Sequence, residues 1–153
     1  MPGYKGHLTG GLAVYALAVY GVSFFVNPSW IMLIEWCACT LSGSLFPDID
    51  TKSKGQKLFY SIMTAIMMLL LVRGCYDVMA GLAMLLLVPI LSRHRGLFHK
   101  PWFIVSFVCA VAYGASLCVP LYAHMFYYDA LFFITGALSH VWLDIGTRRM
   151  FKK

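Results

Sequence analysis

The stretch Arg93-His94-Arg95-Gly96-Leu97-Phe98-His99 is a short polar loop set between two long apolar runs. Two imidazoles and two guanidiniums at the edge of membrane-grade hydrophobic segments are too costly to be incidental, so the loop is read as the centre of a functional site. The runs around it decide the fold. Apolar segments of about 17 to 20 residues, the length that crosses a bilayer, recur along the chain. The 153 residues are 61% hydrophobic and only 12% charged, far from a soluble average. A single core of ordinary size does not shield that much apolar surface. The expected class is therefore all-α: one domain over residues 1–153, a polytopic membrane helix bundle.

Six helices are predicted, at about 8–26, 30–46, 58–73, 77–92, 102–119 and 126–147. Asn27-Pro28, Pro47, Gly74, Pro101 and Pro120 punctuate the breaks, and Pro89 would kink the fourth helix. Lys5 followed by the apolar segment 8–26 looks like a signal peptide, but no A-x-A-like site follows, so a retained first span is expected.

Orientation follows from the basic residues, because cytoplasmic loops carry the excess of Lys and Arg. With the N-terminus inside, the inner segments hold Lys5, then Lys52, Lys54 and Lys57, then Arg93, Arg95 and Lys100, then Arg148, Arg149, Lys152 and Lys153. Arg73 alone falls outside. Both termini are therefore expected in the cytoplasm. Tyr76, Tyr122, Tyr127, Tyr128 and Trp30 would form an outer aromatic belt, with Tyr4, Tyr60 and Trp102 at the inner interface. The net charge of +6 is explained first by this topology, so nucleic acid is not the expected partner, although charge alone leaves it open. Five cysteines, an odd number, give no disulfide framework, and Cys75 with Cys118 is the one pairing considered.

Placed on this topology, His7, Asp48, Asp50, His94, His99, His140 and Asp144 share the inner face. His140 and Asp144 lie four apart and project from one side of a helix, with Gly136 one turn earlier on that side. Taken singly each has a bland reading: an interfacial His7, a turn at Asp48-Ile49-Asp50, arginines that only set topology. Their common depth argues for joint use. Imidazole with carboxylate is the ligand mixture of Zn²⁺, Mn²⁺ or Fe²⁺. Seven candidates exceed the four ligands of a structural zinc, so two or more ions, or one ion with a supporting shell and a base, are expected. Glu35, Asp77, His124 and Asp129 on the other face are scattered, and read as solvated or interfacial side chains. Ser42, Gly43 and Ser44 could pack helices within one chain or between two, which leaves the oligomeric state open.

Gly6-His7-Leu8, Leu45-Phe46-Pro47-Asp48-Ile49-Asp50, His94-Arg95-Gly96-Leu97-Phe98-His99 and Ser139-His140-Val141-Trp142-Leu143-Asp144-Ile145-Gly146-Thr147 resemble, in the same order and over nearly the whole chain, motifs of the YdjM-like family of bacterial inner-membrane proteins. The resemblance implies a metal-dependent hydrolase, distantly similar to zinc-dependent phospholipase C and to single-strand nucleases of the P1 type. It implies that the seven residues above are metal and catalytic positions, and His140 with Asp144 looks like that superfamily's His-x-x-x-acid pair. Phe98, Lys100 and Arg148 depart from residues common in the family and bear on substrate preference.

The expected activity is hydrolysis of a phosphate ester, of a phospholipid or lipid-linked phosphate, at the cytoplasmic face of the bacterial inner membrane. Zinc is the first choice of ion. Asp50 or Asp48 is the candidate general base and Arg95 the candidate phosphate clamp. Two other classes compete. A transporter would need polar groups near the midplane and access to both faces, and a metal-stabilised scaffold or regulator would need the ion only to pin helices.

Overall fold

A computed structural model describes residues 3–50, 54–72, 74, 76, 79–80, 83 and 99–150. Every regular element among them is helical: α1 (Tyr4–Val22), α2 (Trp30–Leu45) continued by a 3-10 turn (Phe46–Asp50), α3 (Lys54–Val72), α4 (Pro101–Cys118), a second 3-10 turn (Pro120–Tyr122) and α5 (Ala123–Met150). Local chemistry sets the ends. The Ser29 hydroxyl accepts from the Met32 amide and caps α2, and Pro101 begins α4 where a missing N–H costs nothing. Gly74, at φ 70°, takes the left-handed conformation that closes α3. Tyr76, Met79, Ala80 and Ala83, the described positions around the expected fourth helix, are helical as well, and the rest of 77–92 lies outside the described residues.

The helices run past their apolar stretches at the polar ends. α1 starts at Tyr4 rather than near residue 8, α3 at Lys54 rather than 58, and α5 spans 28 residues, about 42 Å at 1.5 Å per residue. An apolar run marks the part of a helix in contact with lipid or core, whereas hydrogen bonding carries the helix further. Among the described residues two helices are long and apolar enough to cross a bilayer, Trp30–Asp48 and Pro101–Cys118. In α1 the polar start, with Lys5 and His7, and four glycines dilute the apolar character of a helix of 19 residues.

α5 is the hub. It packs against α2 most extensively, then α4 and α1, while α3 lies mainly against the 3-10 turn after α2. The α2–α5 crossing is close because each helix supplies a glycine to it. A Cβ on Gly43 would overlap the Phe133 carbonyl, and one on Gly136 would overlap the Thr40 carbonyl. The small residues of α2 therefore pack within the chain. Below the crossing Trp36 stacks on Phe132 at 4.6 Å, and Phe46 meets Phe133 edge-on. Ile104, Ala137 and Val141 seal α4 to α5. Outward, Leu17, Phe25, Val72 and Leu121 stand in the open, a surface suited to lipid tails.

Candidate metal centre

Four separate pieces of chain deliver side chains to one end of the bundle. His7 comes from the first turns of α1, Asp48 from the 3-10 turn after α2, His99 from the residues just before α4, and His140 with Asp144 from α5. His7 and His140 are buried, at 3% and 0% exposure, so neither is an interfacial side chain. The donor atoms of His7, His140 and Asp144 lie within 4.8 Å of one another, as do those of Asp48, His99 and His140.

The orientation of His140 carries the chemistry. Its Nδ1 is 2.7 Å from the Ser44 carbonyl oxygen, which only accepts, so Nδ1 carries the hydrogen. That carbonyl is free for the contact because it lies in the last turn of α2, and Pro47, three residues on, brings no N–H to compete for it. Nε2, the nitrogen left to act as a ligand, then faces Asp48 Oδ1 and Asp144 Oδ2, each at 3.6 Å. This buried nitrogen has no hydrogen-bond partner among the described residues. Two carboxylates facing one buried imidazole nitrogen call for positive charge between them, which a proton on the ring or a metal ion supplies.

The other spacings agree. His99 Nε2 is 3.9 Å from both Asp48 Oδ1 and Asp144 Oδ2, and His7 Nε2 is 3.7 Å from Asp144 Oδ1. Hydrogen bonds of this kind run at about 2.7–3.2 Å, so these pairs are too far apart to satisfy one another. Ligands about 2.0–2.2 Å from a tetrahedral zinc stand roughly 3.3–3.6 Å apart, so a closure of a few tenths of an ångström brings the donors onto an ion. Two carboxylates and three neutral imidazoles carry a formal charge that a divalent cation cancels. His7 stacks face to face on His140, with centroids 3.7 Å apart and planes at 15°, an arrangement that two imidazolium cations would resist. The donor set therefore fits a divalent metal, held by His7, Asp48, His99, His140 and Asp144, with the Ser44 carbonyl orienting His140 in the manner of metal-bound histidines.

Five of the seven residues singled out in the sequence thus come together. The side chain of Asp50 lies outside the described residues, as do His94 and Arg95. Ser44 was read only as a small packing residue, and its part as the anchor of His140 was missed. Its sequence signal is the proline three residues after a helix-terminal carbonyl. At the opposite end of the same two helices, the Cys39 thiol lies beside the Asp129 carboxylate, with Glu35 close enough to act on both. No motif spacing connects them, since they meet only through the α2–α5 packing. Cys118, considered for a bridge with Cys75, carries a free thiol.

Comparison with known proteins agrees with the motif order. The family model described as YdjM inner membrane protein matches residues 1–151. Neither a curated protein nor a solved structure matches the chain. A match over almost the whole length, on a helical bundle with two membrane-length helices, places this chain in the YdjM inner membrane protein family.

Proposed function

We propose that the chain is a metal-dependent hydrolase of the bacterial inner membrane, crossing it with about six helices and holding both termini in the cytoplasm. Its substrate is a phosphate ester of a phospholipid or lipid-linked phosphate, reached from the cytoplasmic face. The observation that carries this reading is His140 Nε2 held 3.6 Å from both Asp48 and Asp144, with His99 and His7 at 3.7–3.9 Å from the same carboxylates.

A divalent ion in such a set, zinc first and manganese or iron as alternatives, supplies an acidified water and polarises a phosphoryl oxygen. The remaining work belongs to the chain. Asp48 faces His99 and His140 and serves as a ligand, which leaves Asp50, two residues on, as the base that takes a proton from the attacking water. Arg95, in the loop that ends at His99, is placed by sequence to clamp a phosphate oxygen with its fork of donors. Exposed Trp102 and Trp142 near the same end suit the headgroup region, where a lipid phosphate would lie.

A second reading has an observation of its own. The ligands come from four chain segments, so an ion here also staples α1, α4 and α5 to the turn after α2, as a scaffold would require. One experiment separates the two. Detergent-purified protein loaded with Zn²⁺ or Mn²⁺ is assayed on phosphodiester, phosphomonoester and nucleic-acid substrates beside Asp50→Asn. Turnover lost in the variant with metal content unchanged is the expected result. No turnover on any of these substrates by the metal-loaded protein leaves the scaffold.

A further inference from the structure

Resting on the metal-centre reading, we infer that the site takes two unequal divalent cations bridged by the Asp144 carboxylate, one held by Asp48, His99, His140 and Asp144 Oδ2, the other by His7 and Asp144 Oδ1.

Three observations lead there. First, both groups of close donors include His140, yet that ring has one nitrogen to give, because its Nδ1 hydrogen is committed to the Ser44 carbonyl. A single imidazole nitrogen does not bridge two ions, so the two groups cannot both be complete sites around it. Second, Asp144 divides its oxygens. Oδ1 faces His7 Nε2 at 3.7 Å, while Oδ2 faces His140 Nε2 at 3.6 Å and His99 Nε2 at 3.9 Å. A carboxylate that presents one oxygen to each side is the usual link between paired ions. Third, the rings of His7 and His140 are nearly parallel at 3.7 Å and both turn Nε2 toward Asp144. Lone pairs lie in the ring planes, so those of stacked rings run side by side and do not converge. Their separation matches the roughly 3.5–4 Å between ions in two-metal hydrolytic sites.

The two positions differ in consequence. Around the His140 position the described residues supply four donors, the count of a closed tetrahedral zinc. Around the His7 position they supply His7 Nε2 and Asp144 Oδ1. The first ion joins the turn after α2, the start of α4 and α5, and the second ties α1 to α5 through Asp144. His7, the one ligand from α1, becomes the residue that recruits the second ion.

The test is metal content and electron paramagnetic resonance on the full chain in detergent. Wild type titrated with Mn²⁺ should bind about two ions per chain and show the spectrum of an exchange-coupled pair. His7→Ala should bind about one, with the spectrum of an isolated ion. Saturation of wild type at one ion, an isolated-ion spectrum at saturation, or a coupled pair retained in His7→Ala would overturn the two-ion assignment and leave the single-metal reading standing. No bound ion in wild type would remove the metal centre itself. Should His7→Ala not fold, the wild-type spectrum decides alone.

Discussion

α2 and α5 bring polar side chains together at both ends, and the two ends behave differently. At one end His140 and Asp144 meet Asp48, His99 and His7; at the other, Cys39 meets Asp129 beside Glu35. Both clusters place ionisable groups beside apolar surface. The first brings three imidazoles and two carboxylates together from four chain segments, a donor set that fits a divalent cation. The second has two acids and a thiol, contains no imidazole, and draws on two helices only. What distinguishes a metal centre is thus the convergence of lone pairs from several chain segments. The mere presence of buried charge is not enough.

The contrast breaks most visibly at His140. His140→Ala removes the central donor of the four-donor position and should lower bound zinc or manganese by about one ion per chain, as read by elemental analysis of purified protein. The same variant loses a fully buried ring, so its unfolding free energy should fall even in chelator, by the about 2–5 kcal/mol typical of a large-to-small core change. Metal content equal to wild type would show that the inner cluster is no more a ligand set than the outer one.

A subtler change tests the support of that ring. Pro47→Ala gives the chain an N–H three residues after Ser44, able to compete with His140 for the Ser44 carbonyl. Outer-shell partners of metal-bound histidines are worth about 10- to 100-fold in affinity, so competitive chelator titration should show a loss in that range with the ion count unchanged. Affinity within a factor of about two of wild type would mean that the carbonyl does not orient the ring.

The smallest effect belongs to the other end. Asp129→Asn keeps the shape and a hydrogen-bond acceptor for the Cys39 thiol, so stability should shift by no more than about 1 kcal/mol and metal content not at all. A drop in bound metal would join the two ends into one system and revive transport, since a path across the bundle needs polar groups on both sides.

Much of this was legible in the residues. Runs of membrane length predict helices, and Pro28, Pro101, Pro120 and Gly74 sit where helices begin or end. His140 and Asp144 share a helix face by spacing alone. The start of α1 was less legible, because its first turn is polar and glycine-rich while the helix is already hydrogen-bonded there; His7 is thereby a core residue of α1 and not the residue that precedes it. Gly136 was expected to admit a neighbouring helix, and it does, against Thr40. That Gly43 answers it from the other helix could not be read from spacing, because the register of two helices against each other is a property of the pair.

The sequence by itself determined the class of the molecule, the helical segments and the short set of imidazoles and carboxylates able to hold a metal, since hydropathy, periodicity and ligand chemistry are local. Tertiary structure decided which lone pairs meet. The paired glycines let α2 and α5 approach until the Ser44 carbonyl reaches His140, and that hydrogen bond fixes which nitrogen faces Asp48 and Asp144. It likewise joined Cys39 to Asp129, whose meeting depends on a helix crossing that no single segment encodes.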